Sequence, residues 1–281
     1  MIKVLKPGFY TSIQDRGRIG YASMGVPVSG VMDSYSADLA NSVLNNSFED
    51  AVIEITFGGC ILKFLTDTFI SISGGDFSAK INNKPVLLNS RIKIYKNDEL
   101  LFGTINFGTR CYLAVKDGFL TEKVLKSRSF YNGITSNFLI KKNDLLPIST
   151  HYIDLNLSNT AIKILKSHFK SQEMKCFEGP EFDLLDEVQK EQIKKQVFTI
   201  SNSNNRMGYQ LNETIENRLP QILTSAVLPG TVQLTPSGKL IVLMRDCQVT
   251  GGYPRILQIC EESINRLAQK STGDKLQFKF N

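Results

Sequence analysis

The sequence predicts a mainly β protein with a few helices, built as two β-rich subdomains. Three observations carry this. From residue 51 to about 150 the apolar runs are short, from Val52–Phe57 to Arg110–Val115, and Gly, Asn and Asp separate them. Three corners share one pattern: Asn97-Asp98-Glu99-Leu100, Asn143-Asp144-Leu145-Leu146 and Gly273-Asp274-Lys275-Leu276. Each sets Asn-Asp or Gly-Asp just before an apolar run, a hairpin-type signal. Finally, Arg18-Ile19-Gly20-Tyr21 is echoed by Arg206-Met207-Gly208-Tyr209, which suggests two related halves. Many short strands with such turns point to barrels or sandwiches rather than a doubly wound sheet.

The elements follow in order. Ile2, Val4 and Leu5, then Gly8 to Ile13, read as a strand through residue 15. A charged, glycine-punctuated loop follows, Gln14-Asp15-Arg16-Gly17-Arg18-Ile19-Gly20-Tyr21. Met32, Tyr35, Leu39, Ala40, Val43 and Leu44 then fall at helical spacing, with Asp33 in the first turn, where a carboxylate suits the helix dipole. The β-rich stretch ends near residue 150. Residues 148–175 are the least patterned, so the subdomains are placed at 1–155 and 156–281. Asp183 to Gln196 reads as an amphipathic helix on Leu184, Leu185, Val188 and Ile193. Val197–Ile200 is a short strand and Ser201 to Tyr209 a polar loop. The apolar run Leu240–Met244 is a buried strand. It leads into Arg245-Asp246-Cys247-Gln248-Val249-Thr250-Gly251-Gly252-Tyr253-Pro254-Arg255, and a helix is expected from about Arg255 to Ala268.

Composition narrows the function classes. The chain has 281 residues, 42% hydrophobic and 21% charged, with a net charge of +6, which is globular rather than disordered. Its lysines are scattered, which is a solvated surface rather than a nucleic-acid tract. Five cysteines, an odd count with no C-x-x-C pair, suit free thiols in a reducing cytosol. The N-terminus lacks a signal-peptide core, and no apolar run approaches the ~20 residues that span a bilayer. The expectation is a soluble cytoplasmic protein. The two histidines, His151 and His168, read as surface residues. P-loop, dinucleotide-fingerprint, nucleophile-elbow and H-E-x-x-H motifs are all absent. Any chemistry therefore falls to carboxylates, arginines, hydroxyls and backbone amides.

Two clusters offer those groups. Asp15, Arg16 and Arg18 form a candidate anion clamp, since guanidinium forks bind carboxylate and phosphate bidentately. The alternative is a turn with solvated arginines. In the second cluster, Thr250, Gly251, Gly252 and Tyr253 sit between Asp246 and Arg255, at a corner read as strand-to-helix. Glycines there allow close backbone approach, and a helix start favours anions. The alternative is a tight turn before a helix opened by Pro254.

The ordered motifs extend the reading. Gln14-Asp15-Arg16-Gly17-Arg18, Gly25-Val26-Pro27-Val28-Ser29-Gly30-Val31-Met32-Asp33, Ser127-Arg128-Ser129, Glu178-Gly179-Pro180, Arg206-Met207-Gly208-Tyr209 and Thr250-Gly251-Gly252-Tyr253-Pro254 run nearly the full chain. Together they resemble the family known as the 5-oxoprolinase C-subunit, allophanate hydrolase subunit 2 or sporulation-kinase-inhibitor antagonist. The chain departs from that pattern at Asp117, Lys126, Phe130, Gln210 and Val249. The resemblance implies cyclophilin-like β-barrel subdomains, a homologous sibling of the kinase-inhibitor type (the 5-oxoprolinase B-subunit), and a third subunit. It also implies kinship with the carboxyltransferase part of biotin-dependent urea carboxylase.

Three functions are then expected, in order. The first is a subunit of an ATP-dependent 5-oxoprolinase, an amide (lactam) hydrolase that opens 5-oxoproline to L-glutamate and is inactive without its partners. In it Asp15 and Asp246 are the candidate catalytic carboxylates. Arg16, Arg18, Ser29, Arg206, Thr250, Gly251, Gly252, Tyr253 and Arg255 are candidates for binding substrate and phosphate. ATP acts in the complex, with Mg possible and no metal ligands assigned in this chain. The second is a carboxyltransferase component that works with biotin on a urea-like acceptor. The third is a non-enzymatic partner of a kinase-inhibitor-like sibling.

Overall fold

The computed structural model describes residues 1–151, 162 and 166–280. The expected subdomain boundary at 155/156 lies outside the described residues. Two compact units are present: Met1–Arg18 with Ser29–Lys166, and Ile19–Val28 with Ser167–Asn281.

In the first unit, the stretch expected as one strand is two, β1 (Ile2–Pro7) and β2 (Tyr10–Gln14), because the chain turns at Gly8-Phe9. Then come α1 (Ser34–Val43), β3 (Val52–Thr56), β4 (Cys60–Phe64), β5 (Thr68–Asp76), β6 (Lys80–Ile81), β7 (Lys84–Pro85), β8 (Ile92–Ile94), β9 (Glu99–Leu101), β10 (Phe107–Val115) and β11 (Leu145–Leu146). They form a six-stranded sheet, β11-β1-β4-β9-β6-β7, and a five-stranded sheet, β2-β3-β10-β5-β8. One core joins them: Ile2, Val4, Leu62 and Phe64 from the first sheet meet Ile13, Ile53, Ile55, Ile72 and Leu113 from the second. Strand side chains alternate between faces. The opposite face of the five-stranded sheet therefore presents Val52, Phe69, Tyr112 and Ala114, and α1 covers it with Ala37 and Ala40. Asp33 caps α1 by accepting the Ser36 N–H at 3.1 Å. Tyr35, expected on the apolar face, is exposed.

The second unit holds α2 (Ser167–Lys170), β12 (Glu173–Glu178), α3 (Glu187–Lys195), β13 (Phe198–Asn204), β14 (Gly208–Thr214), β15 (Ser225–Ala226), β16 (Thr231–Leu234), β17 (Lys239–Leu243), β18 (Thr250–Gly251), β19 (Arg255–Ile259), α4 (Glu261–Ala268) and β20 (Lys275–Phe280). Seven of its strands close a barrel, β12-β19-β16-β17-β14-β13-β20. Tyr209, Leu211, Val232, Leu234, Leu240 and Val242 are fully buried and share the inward parity. The opposite parity puts Gln210, Gln233, Ile241 and Leu243 on the outer wall. The chain is thus mostly β, as expected, and one of its units is a closed barrel.

The three Asn/Gly-Asp corners are three copies of one turn. Asn97, Asn143 and Gly273 have φ of 77°, 71° and 87°. The aspartate after each accepts the N–H of the residue three before it: Tyr95 at 2.8 Å, Lys141 at 2.7 Å and Ser271 at 2.7 Å. β9, β11 and β20 follow directly.

Four expectations are corrected. Arg255–Ile259 is a barrel strand, not the start of a helix, and α4 begins only at Glu261. Ile256, Ile259 and Ile264 lie at helical spacing by coincidence, the first two belonging to the barrel. The polar segment Ser201–Tyr209 is mostly a hairpin of β13 and β14, held by backbone pairing that side-chain polarity does not report. The helix expected from Asp183 is a 3-10 turn (Phe182–Leu184) and then α3, which starts at a capping box between Asp186 and Gln189. Leu184 and Val188 are consequently exposed. His168, expected on the surface, is buried on α2, its ring edge-on to that of Phe169 with centroids 5.1 Å apart.

No helix among the described residues is long and apolar enough to cross a membrane. All five cysteines are free, and burial pushes the Cys60, Cys176 and Cys247 thiols up to about 12, which makes them poor nucleophiles.

Candidate functional site

In the first unit the Asp15 carboxylate is the centre of a buried latch. It accepts from the Ser127 and Ser129 hydroxyls at 2.6 and 2.7 Å, the Arg128 N–H at 2.5 Å and the Gly17 N–H at 2.8 Å. The Asp15 carbonyl accepts the Val31 N–H at 3.0 Å. Arg18, 1% exposed, donates to the Ser129 carbonyl. The Ser127-Arg128-Ser129 and Asp15-Arg16-Gly17-Arg18 motifs are therefore two sides of one structure. Ser29 is buried beside it, with φ of 59°. Arg16 points elsewhere: it pairs with Asp38 at 2.6 Å and lies over the Phe48 ring.

A second buried group escaped sequence reasoning. Glu54 is fully buried on β3, and its Oε2 accepts the Tyr112 hydroxyl at 2.9 Å and the Met32 N–H at 2.7 Å. Arg110 Nε lies 3.8 Å from Glu54 Oε1. The Tyr112 oxygen in turn accepts the Asp33 N–H at 2.8 Å. Burial, then the neighbouring Glu54 and Asp33 charges, push the Tyr112 phenol well above its ordinary range. The only sequence signal was a lone carboxylate inside the apolar run Val52-Ile53-Glu54-Ile55.

In the second unit the candidate corner leaves β17, passes through β18 and re-enters the barrel as β19. Its Asp246 and its Arg255 each form an ion pair with a residue from elsewhere in the unit. Arg206, in the β13–β14 turn, donates to Asp246 through Nε at 2.8 Å and Nη2 at 3.0 Å, and both residues are buried. Arg255 forms a second fork with Glu181, at 3.0 and 2.8 Å, and its own N–H also reaches that carboxylate at 2.8 Å. Bonding to Arg255 holds the Glu181 carboxyl below its ordinary range. Thr250 and Gly251 pair with Ala226 and Ser225 as a short ribbon. Gly251 and Gly252 thus precede a strand, and the anion-favouring helix start expected there is absent.

The corner instead roofs a cavity of about 280 Å³ over the outer wall of β14, β17 and β16. Its polar lining includes Asn205, Gln210, Gln233, Gln248 and Tyr253, and its apolar lining Met207, Ile241 and Leu243. None of the lining side chains is charged. Gln233 is 2% exposed, and its Nε2 has no hydrogen-bond partner among the described residues. Gly251 presses on it: a Cβ at Gly251 would lie 2.6 Å from Gln233 Nε2 and 3.5 Å from Gln248 Nε2. Of the expected binding residues, Tyr253 lines this cavity and Gly251 packs behind its Gln233. Arg206 and Arg255 brace the loop that forms it.

Comparison with known proteins agrees with this architecture. The family "carboxyltransferase domain, subdomain A and B" matches residues 24–280. The chain is 31% identical over 285 residues to the 5-oxoprolinase C-subunit of Escherichia coli, covering 99% of this chain and 90% of that protein. It is 42% identical over 130 residues to the urea amidolyase of Lachancea kluyveri, covering 46% of this chain but 7% of that protein. The crystal structure of the K. lactis urea amidolyase superposes with a TM-score of 0.85 at 27% identity, over 99% of this chain and 18% of that one.

Proposed function

Because the chain belongs to the carboxyltransferase-domain family that includes the 5-oxoprolinase C-subunit, we propose that it serves as one component of an ATP-dependent 5-oxoprolinase. The observation that carries this reading is near-full-length likeness: 99% of this chain aligns with 90% of the Escherichia coli protein. In the reaction, ATP phosphorylates the lactam oxygen and water attacks the activated carbon. The ring C–N bond then breaks and its nitrogen takes a proton, leaving an acyl phosphate on the side chain, and a second water cleaves that to glutamate and phosphate, ADP having formed in the first step.

The residues of this chain suit part of that work. A triphosphate calls for unpaired cations, and a metal calls for clustered donors. Arg16, Arg206 and Arg255 already face carboxylates, and no group of three or more His, Cys, Asp and Glu among the described residues is placed to hold a metal. In this reading, ATP with its Mg and the water-activating base belong to the sibling and third subunits. Asp15 and Asp246 act by positioning. Asp15 ties the Ser127–Ser129 segment to the Gly17 loop, and Asp246 ties the β13–β14 turn to the corner.

The test is reconstitution with the neighbouring homologous subunit and the third subunit, measuring ATP hydrolysis and glutamate release from 5-oxoproline. Turnover is expected only when this chain is present. A verified, folded complex that releases no glutamate overturns the reading. The urea amidolyase relatives favour a second reading, carboxyl transfer from carboxybiotin to a urea-like acceptor. The neutral cavity suits a ureido ring as well as a lactam. Carboxybiotin-dependent carboxylation of urea by a biotin-carrying partner system is its assay.

A further inference from the structure

We infer that the outer face of the six-stranded sheet in the first unit is a docking surface for an acidic amphipathic helix of a partner subunit. The inference rests on the reading above for the source of that helix, and it gives the contact a place and a chemistry on this chain.

The first argument is a missing layer. Val4, Leu62, Phe64 and Leu100 of this sheet are fully buried in the core it shares with the five-stranded sheet. Strand side chains alternate, so Lys3, Ile61, Lys63 and Leu101 point the other way. The five-stranded sheet has α1 over its outer face. That is the one α-helix among the described residues of this unit, so the six-stranded sheet has no such cover from its own unit. Yet Ile61 and Leu101 stand side by side on its outer face, as direct partners on β4 and β9.

The second argument is charge. Lys3 on β1 lies directly opposite Lys63 on β4. Like charges set opposite one another destabilise a strand pair. The other strand neighbour of Lys3 is Leu145, so no neighbouring carboxylate relieves it. Plain alternation would turn Lys6 toward the core. A bulge between Val4 and Lys6 instead sets it opposite Ile61 on the outer face, and re-aiming a side chain is what bulges do. Lys80 is the partner of Leu101 on the far side. Within these rows the one carboxylate is Glu99, which pairs with Lys63 at 3.5 Å. The side chains of Lys3, Lys6 and Lys80 make no ion pair or hydrogen bond among the described residues. An anionic partner would relieve the Lys3–Lys63 repulsion and pair all three.

The third argument is dimension. Lys6, Ile61, Leu101 and Lys80 follow one another across β1, β4, β9 and β6. Neighbouring strands lie about 4.8 Å apart, so the two lysines bracket the apolar pair at about 14 Å. An α-helix with its side chains is about 10–12 Å across. Its apolar stripe would rest on Ile61 and Leu101, and Asp or Glu on its flanks would meet ammonium groups that lysine stems carry clear of the sheet. Single-stranded nucleic acid calls for stacking aromatics, and these rows hold none. A bilayer surface calls for apolar side chains that can insert, whereas Ile61 and Leu101 are half-buried in the sheet surface.

The experiment titrates the full chain by calorimetry with the neighbouring homologous subunit and with the third subunit, each purified. Acetylation of lysines by an N-hydroxysuccinimide ester is then mapped by mass spectrometry in the free and bound chain. With one of the two subunits bound, Lys3, Lys6 and Lys80 should react about tenfold more slowly than in the free chain. Lys3→Glu/Lys80→Glu should weaken that complex about tenfold or more, and Lys3→Arg/Lys80→Arg, which keeps the charge, should leave it within about twofold. Added salt should weaken the wild-type complex more than that of the Glu variant. The free Lys3→Glu chain should melt no lower than wild type, because an opposite charge then faces Lys63; lost binding is thereby separated from lost folding. The inference is overturned if neither subunit binds, if a bound subunit leaves the three lysines as reactive as before, or if the Glu variant binds as tightly as wild type. Protection of the three lysines by phosphatidylserine vesicles or single-stranded DNA, but by neither subunit, overturns it as well. Glutamate release by a complex whose lysines stay reactive sinks this inference alone, and protected lysines in a complex that releases no glutamate sink the oxoprolinase reading alone.

Discussion

Asp246→Ala tests whether the corner depends on its buried ion pair. The Arg206 and Asp246 side chains are 6% and 11% exposed and meet through a two-bond fork of 2.8 and 3.0 Å. Two backbone bonds run alongside, Asp246 N–H to the Arg206 carbonyl at 2.8 Å and Met244 N–H to the Met207 carbonyl at 2.9 Å. At this separation the attraction is roughly 4 kcal/mol for an effective dielectric near 20, and desolvation of both ions offsets much of it. The intact pair therefore adds little net stability. Breaking it leaves a guanidinium buried without its carboxylate, which costs about 3–5 kcal/mol. For a unit of this size that is a fall of roughly 10–20 °C in melting temperature. The double replacement Arg206→Met/Asp246→Leu removes both charges and should recover most of the loss. Urea unfolding followed by circular dichroism, on wild type, both single variants and the double, supplies the cycle. The reasoning is refuted if Asp246→Ala costs under about 1 kcal/mol, or if the double is no more stable than the singles.

Three further outcomes follow from the geometry. A Cβ at Gly179 would lie 2.2 Å from the Arg255 carbonyl oxygen, so Gly179→Ala must push β19 off the Glu178–Pro180 segment; a loss of about 2 kcal/mol or more in urea unfolding is expected. Glu181 titrates below its ordinary value of 4.5 in the folded chain, so its contribution is complete above that pH and disappears as pH falls through the lower folded value. Glu181→Gln should then be less stable than wild type at neutral pH and converge with it in acid, and a difference that widened as pH fell would contradict this. Gly251→Ala places a methyl 2.6 Å from Gln233 Nε2, the movable end of a side chain, so the amide swings away and the melting temperature in a thermal scan should shift by only a few degrees; a loss as large as that of Gly179→Ala would contradict this.

What the sequence disclosed was local. The Asn97, Asn143 and Gly273 corners were legible because an aspartate beside a left-handed residue closes the turn within a few residues. Asp33 was legible as helix-start chemistry for the same reason. Arg255–Ile259 was misread because its buried isoleucines continue into the helical spacing of α4, and only barrel closure by β16 and β12 decides between strand and helix. Glu54 and Gln233 were invisible as functional residues. Each is a polar side chain flanked on both sides by apolar residues, and its partners or its cavity come from segments far away in sequence. Gln210 was noticed as a departure from the family pattern, but nothing local indicated that it faces a cavity.

The same residues argue for a division of labour. Arg18 is buried and donates to the Ser129 carbonyl, and the other three arginines that a sequence reading offers as anion clamps are held by carboxylates: Arg206 by Asp246, Arg255 by Glu181 and Arg16 by Asp38. To seize a phosphate, any of them would have to surrender a carboxylate already held in good geometry, which makes each a poor resting site for a nucleotide. Their effect is to hold loops in place. With Arg206 and Arg255 each held by a carboxylate beside it, the cavity beside the second-unit corner is lined by no charged side chain. Under the oxoprolinase reading, a nucleotide would then find its cations on other subunits rather than on these three arginines. Charge-reversing substitutions at Arg206 or Arg255 should accordingly act through loop stability, lowering the unfolding temperature of the isolated chain, because each would set a carboxylate against a carboxylate.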